Sequence, residues 1–235
     1  MNPKDHLILA LDLPKTEALD LLDALGDKLA WVKIGMTLFY SEGPDFVSLL
    51  KERGLNIFLD LKLHDIPHQV HLAAASLGRL GVDMITVHAS GGADMIAAAK
   101  EGLRLGAQNQ NDTKLLAVSV LTSSDQIMLN SIGVYKQLGE QVKDLSKLAF
   151  EAGADGMVCS PQEASLINEL ALGEKLIVTP GIRPLGTELG DQKRVLGPKE
   201  ALLAGSSHLV VGRPITQAED PVLALETMYA QMQGA

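Results

Sequence analysis

Residues 55–78 read LNIFLDLKLHDIPHQVHLAAASLG and contain a strand, a loop and most of a helix in one short segment. Residues 55–62 are apolar at most positions, which is typical of a strand buried on both faces of a parallel sheet. From Pro67 onward the apolar residues have the spacing of an amphipathic helix, and proline suits the first helical turn. This strand-then-helix unit predicts a fold of the α/β class.

The same unit recurs along the whole chain. Apolar runs recur about every 25–30 residues, and a segment with helical periodicity follows each of them. The eight runs occupy residues 6–12, 30–35, 55–62, 83–89, 114–121, 155–160, 175–181 and 207–214. Eight such units predict a closed (β/α)8 barrel, a TIM barrel, as a single domain over residues 1–235; a doubly wound open sheet is the alternative. The fifth unit is the longest and has room for an additional helix near residues 124–131.

Composition argues against several classes of function. The formal net charge is −9 and the Lys and Arg residues are dispersed, so we expect no nucleic-acid partner. No apolar run reaches the ~20 residues of a membrane helix, and the start of the chain does not resemble a signal peptide. We therefore expect a cytoplasmic protein without a membrane partner. The single cysteine, Cys159, excludes a disulfide framework and is interpreted as a buried residue at a strand end.

Charged residues follow several predicted strands, at the end where TIM barrels carry their functional side chains. Strand alternation puts Phe58, Asp60 and Lys62 on one face of the third strand, so Asp60 and Lys62 face the mouth of the barrel. Lys33 and Asp12 occupy equivalent positions at the ends of the second and first strands. An isolated D-x-K pattern fits a structural ion pair, but several opposite charges at a barrel mouth are costly to desolvate and indicate a chemical role.

Asp65 lies beyond the third strand, in the loop that enters the predicted helix at Pro67. Such a loop can fold over its own site or reach across a subunit contact. The residues by themselves leave both arrangements open.

A second cluster follows the last two strands, where TIM barrels commonly bind phosphate. It consists of TPGIRPLGTELGDQKR at residues 179–194 and VVGRP at residues 210–214. The backbone N–H groups of Gly212 and Arg213, together with the Arg213 guanidinium, are suitable donors to an anion. The loop at residues 181–191 is a candidate for a mobile lid.

Together these motifs resemble the orotidine 5'-phosphate decarboxylase family in its bacterial form. The matching motifs extend along the chain as LALD, VKIG, DLKLHDIP, VHASGG, LTS, TPGIRP, DQKR and VVGRPI. The pattern D-x-K-x-x-D-I-P on a third strand, with a downstream Gln and Arg, is highly specific. The resemblance implies a homodimeric enzyme, without cofactor or metal, that converts orotidine 5'-phosphate to UMP and carbon dioxide in pyrimidine biosynthesis.

The resemblance also implies roles for individual residues. The implied catalytic residues are Lys33, Asp60, Lys62 and Asp65. Lys62 would stabilise and protonate the C6 carbanion, and the neighbouring subunit would contribute Asp65. The implied substrate-binding residues are Asp12, Lys33, Asp65, Ile66, Thr122, Ser123, Pro180, Arg183, Gln192, Gly212 and Arg213. Among these, Gln192 and Arg213 would hold the phosphate and Ser123 would contact the pyrimidine edge.

The sequence departs from the family pattern directly after Pro67. Where the family usually has Asn followed by Thr, this chain has His68 and Gln69. A ribose contact expected from the neighbouring subunit therefore lacks its usual residue, and Gln69 is a candidate replacement. The other ribose contacts, from Asp12 and Lys33, are retained.

Two alternatives remain open at this point. Related barrels that act on sugar phosphates with magnesium, the keto-gulonate-phosphate decarboxylases and hexulose-phosphate synthases, share the D-x-K pattern. Here Lys33 would place a cation near the metal position, and no further acidic ligand is evident close to it. The second alternative is a catalytically silent barrel that binds UMP without turnover, which the complete charged array disfavours.

Overall fold

The computed structural model describes residues 1–107, 112–171, 175–184 and 195–233. In these residues eight parallel strands form a closed barrel in chain order, and the last strand pairs with the first. They are β1 Leu7–Ala10, β2 Trp31–Gly35, β3 Asn56–Leu63, β4 Met84–His88, β5 Lys114–Val118, β6 Gly156–Val158, β7 Leu176–Thr179 and β8 His208–Val211. The closed ring confirms the predicted (β/α)8 barrel and excludes the doubly wound sheet.

Helices follow the strands around the barrel. The described helices are α1 Lys15–Leu25, α2 Met36–Glu52, α3 Pro67–Gly78, α4 Ala93–Gly106, α5 Gln126–Ser131, α6 Leu138–Glu151, α7 Ala164–Ala171, α8 Pro198–Leu203, α9 Arg213–Thr216 and α10 Pro221–Met232. The short helix α5 confirms the additional helix predicted in the fifth unit. Helix α2 is interrupted at Gly43, whose φ of 69° is left-handed, because Pro44 cannot continue the hydrogen-bond ladder. In the described ranges, no helix combines the length and apolarity needed to cross a membrane.

Strand alternation separates two layers of apolar side chains. The inner layer fills the barrel and consists of Ile8, Ala10, Phe58, Met84, Leu116, Val118, Val158, Val178 and Val210. The outer layer lies between strands and helices and includes Ile57 and Leu59. Each large apolar side chain that is fully buried in these layers stabilises the fold by about 1.5–3 kcal/mol. Since Phe58 is inside and its neighbours are outside, the alternation predicted for β3 is confirmed.

At the amino end of the barrel, each of two aspartates contacts a neighbouring strand and a helix. Asp83, just before β4, accepts a hydrogen bond from the N–H of Ile57 at 2.7 Å and forms an ion pair with a lysine of α2 at 2.9 Å. Asp155, just before β6, accepts one from the N–H of Leu115 at 2.7 Å and pairs with a lysine of α4 at 2.6 Å. These carboxylates satisfy strand donors at the end of the barrel that supports stability rather than chemistry.

A histidine at the start of β8 is also part of this amino end. The ring of His208 lies 5.7 Å from that of His6 and 5.5 Å from that of Trp31, measured between centroids. Its Nδ1 atom is 3.0 Å from the hydroxyl of Ser207. Burial, with a smaller contribution from the charge of His6, lowers the pKa of His208 from 6.5 to about 4. The folded protein therefore keeps this ring neutral at physiological pH.

We expect the free energy of unfolding to decrease as the pH falls from about 6.5 to about 4. In this window the unfolded chain takes up a proton at His208 that the folded ring does not accept, so acid favours the unfolded state. The pKa difference corresponds to about 3 kcal/mol across the window. Urea denaturation at several pH values measures this dependence.

The variant His208→Gln should show a shallower pH dependence of unfolding than the wild type. The slope is compared between the two proteins over the same window, from about pH 6.5 to about pH 4. If the free energy of unfolding of His208→Gln depends on pH as steeply as that of the wild type, the pH dependence does not come from His208.

Candidate active site

A cavity of about 400 Å³ opens at the carboxyl ends of the strands. Apolar side chains of the inner layer, including Phe58 and Val158, form part of its wall. The wall also contains nine of the residues predicted for the site, namely Asp12, Lys33, Asp60, Lys62, Thr122, Pro180, Arg183, Gly212 and Arg213. An apolar cavity with a few converging charged groups is the usual form of a small-molecule site.

Asp60 is the centre of the charged array at this mouth. Its Oδ2 atom lies 2.8 Å from Lys62 Nζ and 3.6 Å from Lys33 Nζ. Lys33 Nζ also lies 3.3 Å from Oδ1 of Asp12. The side chains of Lys33 and Asp60 are only 12% and 10% exposed, so water screens their interaction poorly. Negative and positive charges thus alternate from Asp12 to Lys62.

The surroundings of Asp60 keep its carboxyl group ionised. Burial by itself raises the pKa of this group. The positive charges of Lys33 and Lys62, with hydrogen bonds from Lys62 and Thr86, outweigh burial and lower the pKa of Asp60 below its usual value of 3.8. The carboxylate at the centre of the array is therefore negatively charged at neutral pH.

Lys62 has a backbone conformation that is unusual for a residue with a side chain. Its φ is 53°, in the left-handed region, and it is the one non-glycine residue of the described chain with a positive φ. The register between β3 and β4 shifts between Leu59 and Leu63, and at this irregularity the Lys62 N–H donates to the hydroxyl of Thr86 at 2.9 Å. Such a conformation costs about 1–3 kcal/mol, so the surrounding structure must hold it in place.

A glycine at the end of β2 leaves room for the outer part of the array. A Cβ atom at Gly35 would lie 3.1 Å from Lys33 Nζ and 3.2 Å from Oδ1 of Asp12. Both distances are shorter than ordinary van der Waals contacts, so with a side chain here Lys33 Nζ and the Asp12 carboxylate would each have to move by a few tenths of an ångström. The sequence motif VKIG contains this glycine but does not reveal why it is needed.

Four predicted site residues are not part of the cavity wall that the described chain forms. Asp65 and Ile66 are exposed in the loop before α3, where the Asp65 carboxylate accepts a hydrogen bond from the Ile66 N–H at 2.6 Å. Ser123 is exposed in a turn. Gln192 lies outside the described residues, as does most of the predicted lid at 181–191. One chain thus brings together three of the four implied catalytic residues, and Asp65 is the one that stays apart.

The cavity wall also includes polar residues that the sequence did not single out. Thr216 and Gln217 line it, and they follow Arg213 by three and four positions at helix α9. That spacing places residues on one side of a helix, so helical periodicity could have identified them. Cys159 is buried, as predicted, and it also lines the cavity.

The arginine residues and the array lie in different sectors of the wall. Arg183 follows β7 and Arg213 follows β8, whereas Asp60 and Lys62 belong to β3. In the closed ring, β1 and β2 separate β8 from β3. The cavity wall therefore has a guanidinium sector, formed by Arg183 and Arg213, and an ammonium–carboxylate sector around Asp60 and Lys62. This arrangement suits a molecule that has an anionic group at one end and reacts at the other.

A cation of the protein lies between two acidic residues of the cavity wall. Lys33 Nζ lies within 3.6 Å of Asp60 and 3.3 Å of Asp12. Among the described residues, no group of three or more His, Cys, Asp or Glu side chains is arranged to hold a metal ion.

Fold and site together define a TIM-barrel enzyme whose cavity suits an anionic small molecule. The chain matches the model of the orotidine 5'-phosphate decarboxylase / HUMPS family over residues 5–228. The chain therefore belongs to this family, which confirms the resemblance seen in its motifs.

Individual relatives agree with this placement. The chain is 48% identical to the orotidine 5'-phosphate decarboxylase of Staphylococcus haemolyticus, covering 98% of this chain and 100% of that protein. It is 46% identical to that of Moorella thermoacetica, covering 99% of this chain and 94% of the relative. Among solved structures, the orotidine 5'-phosphate decarboxylase of Lactobacillus acidophilus is 42% identical with a TM-score of 0.87, covering 98% of this chain and 100% of that one.

Replacing Asp60 by Asn should lower the free energy of unfolding at neutral pH by about 3 kcal/mol, because two largely buried ammonium groups would lose their shared counter-charge. Urea denaturation measures the change. The control is Asp144→Asn, which breaks an exposed ion pair with Lys136 and should leave stability close to that of the wild type, because water screens this pair. If Asp60→Asn is as stable as the wild type, the attraction between Asp60 and the two lysines does not stabilise the folded protein.

Proposed function

We propose that the protein catalyses the decarboxylation of orotidine 5'-phosphate to UMP and carbon dioxide in pyrimidine biosynthesis. Relatives named for this reaction, at 45–48% identity over nearly the whole chain, support the proposal. The observation on this chain that carries it is the buried array of Lys33, Asp60 and Lys62 at the mouth of the cavity. The position of Lys33 between the carboxylates of Asp12 and Asp60 supports the decarboxylase over the magnesium-dependent sugar-phosphate enzymes.

Lys62 is the proposed proton donor. When the bond between C6 and the carboxylate breaks, the electron pair stays on C6 in the plane of the pyrimidine ring, where the π system cannot delocalise it. A fixed ammonium group next to C6 stabilises this pair electrostatically and then transfers a proton to it. The N–H bond of Lys62 breaks, the C6–H bond forms, and the lysine is left as a neutral amine. Its side chain is 25% exposed and lines the cavity, which allows this contact.

Asp60 supports this step through the charge of Lys62. The carboxylate lies 2.8 Å from Nζ and attracts the ammonium group, which fixes the position of the positive charge before the reaction. One ion pair at 4 Å contributes about 4 kcal/mol at an effective dielectric of 20, whereas a demanding reaction requires about 20 kcal/mol. The remainder is supplied by the preorganised array, by exclusion of water and by binding energy from the distant phosphate.

The remaining wall residues are proposed to hold the nucleotide. Asp12 and Lys33 bind the ribose hydroxyls, which fits their contact at the outer part of the array. The proposed phosphate site consists of the Gly212 backbone, the Arg213 guanidinium and Gln192. The rest of the nucleotide contacts Thr122, Ser123, Pro180 and Arg183.

We further propose that the protein is a cytoplasmic homodimer with shared active sites. Asp65 and Ile66 complete the site of the partner, with Gln69 in place of the usual threonine contact to the ribose. The exposure of the loop supports this arrangement, since Ile66 is 63% exposed and Asp65 does not line the cavity of its own chain. An exposed apolar residue beside a carboxylate is suited to a contact between subunits.

The variant Lys62→Ala should lose decarboxylation by more than about 10³-fold, since it removes both the fixed cation and the proton donor. The assay follows the ultraviolet absorbance of orotidine 5'-phosphate after treatment of the protein with EDTA. Thermal unfolding and UMP binding test whether the variant is folded. Near-normal turnover in Lys62→Ala would refute the role of Lys62 as the proton donor. Wild-type activity that EDTA abolishes and magnesium restores would instead favour the magnesium-dependent sugar-phosphate enzymes.

Mixed dimers test whether Asp65 acts across the subunit contact. Lys62→Ala and Asp65→Ala should each be nearly inactive alone. Co-expressed, they should recover about a quarter of the wild-type specific activity, because half of the dimers combine the two variants and carry one intact site.

The matched control combines Lys62→Ala with Asp60→Asn. Both residues belong to one chain's array, 2.8 Å apart, so every site in the mixed dimer is defective and no activity should return. If the mixture of Lys62→Ala and Asp65→Ala also stays inactive, Asp65 does not act in the partner's site.

A further inference from the structure

Thr86 connects the two central residues of the array without lining the cavity itself. It lies in β4 on the inner face of the barrel and is only 1% exposed. Its hydroxyl donates a hydrogen bond to Oδ1 of Asp60 at 3.0 Å and accepts one from the backbone N–H of Lys62 at 2.9 Å. One buried hydroxyl is thus shared between a side chain and a backbone group of the array.

The direction of both hydrogen bonds is fixed by chemistry. A backbone N–H only donates and an ionised carboxylate only accepts, whereas a hydroxyl can do both at once. Valine has nearly the shape of threonine but offers neither function, and serine offers both. Replacement of Thr86 by valine would therefore leave the N–H of Lys62 and one oxygen of Asp60 without this partner.

The hydroxyl contacts the array where its geometry is most demanding. Lys62 has its left-handed φ of 53° where β3 shifts register against β4, and its N–H is the group that Thr86 accepts from. Asp60 uses Oδ2 for both lysines and Oδ1 for Thr86. Rotation of the carboxylate away from Lys62 would therefore break the hydrogen bond from Thr86.

We propose that Thr86 is a positioning residue that fixes the Asp60 carboxylate and the Lys62 backbone, so that Lys62 Nζ is aimed at the reacting carbon before the substrate arrives. Thr86 acts through Lys62 and Asp60 and does not touch the substrate. This inference rests on the proposed function, because the reacting carbon is that of orotidine 5'-phosphate.

The test compares Thr86→Val with Thr86→Ser in the full-length protein. Thr86→Val should lower kcat by about 10- to 100-fold, as expected for a displaced catalytic group, while the Kd for UMP changes by less than about threefold. Thr86→Ser retains the donor and the acceptor and should keep kcat within about threefold of the wild type.

The outcomes separate this inference from the proposed function. If the wild type does not decarboxylate orotidine 5'-phosphate, the proposed function fails. If the wild type is active and folded Thr86→Val has an unchanged kcat, only the role of Thr86 is refuted.

A matched control removes another buried threonine hydroxyl from the barrel. Thr113, just before β5 at the amino end, is 4% exposed and donates to the carbonyl of Val82 at 2.7 Å. Thr113→Val should lower stability without lowering kcat. If both valine variants lower kcat equally, the effect is a general loss of structure and the inference is refuted.

The pH profile provides a readout that a merely structural role would not change. The hydrogen bond from Thr86 is one of the causes that lower the pKa of Asp60, so its loss should move the acidic limb of kcat/KM to higher pH. Among the described residues, the other charged or titratable groups around Asp60 are Asp12, Lys33, Lys62 and His88, with His64 beside His88, and every variant retains them. The shift should appear in Thr86→Val and be absent from Thr86→Ser and Thr113→Val. A lower kcat with no shift would overturn the inference.

Thr86→Cys replaces the valine variant if that variant does not fold. Cysteine keeps a small side chain with a much weaker donor. Folded Thr86→Cys should lose kcat in the same direction, and full activity in it would refute the positioning role.

Discussion

The site depends on one carboxylate oxygen that two ammonium groups share. Oδ2 of Asp60 lies 2.8 Å from Lys62 Nζ and 3.6 Å from Lys33 Nζ, and all three side chains are largely buried. Without this oxygen the two cations would repel each other in a medium that screens poorly. With it, both lysines have a counter-charge at the mouth of the cavity, which holds them in the arrangement that the proposed reaction requires.

The barrel makes this concentration of charge possible because its parallel strands bring distant residues to one rim. Pairing of β2 with β3 places Gly35 opposite Asp60 and Lys33 opposite Phe58, so the array stands directly above the apolar inner layer. The desolvated charges are unfavourable for folding, and the apolar layers offset them. The hydrogen bonds to aspartates at the amino end stabilise the barrel far from the cavity. This stability helps to offset the unfavourable backbone conformation of Lys62 at the carboxyl end.

Local rules were sufficient to predict the fold and the position of Asp60 and Lys62 at the mouth of the barrel. Repeated apolar runs predicted eight strands, and the two-residue period of a strand placed Asp60 and Lys62 at the mouth. Thr86 was missed because a single polar residue in a buried strand has no visible function until its partners on β3 are known. The left-handed φ of Lys62 was missed for a related reason, since it accompanies a register shift between β3 and β4. The roles of individual residues came from the family resemblance rather than from spacing.

Local charge also explains how an acidic protein can bind an anionic nucleotide. The chain has a formal net charge of −9, yet the described cavity wall carries the cations Lys33, Lys62, Arg183 and Arg213 and the anions Asp12 and Asp60. Since the Debye length is about 8 Å at physiological ionic strength, a ligand in the cavity experiences mainly this local excess of positive charge. A phosphate ester carries about −1.5 to −2 charges at neutral pH and suits the guanidinium sector. In the proposed reaction, phosphate binding there would supply binding energy that the reacting end of the molecule uses to reach the transition state.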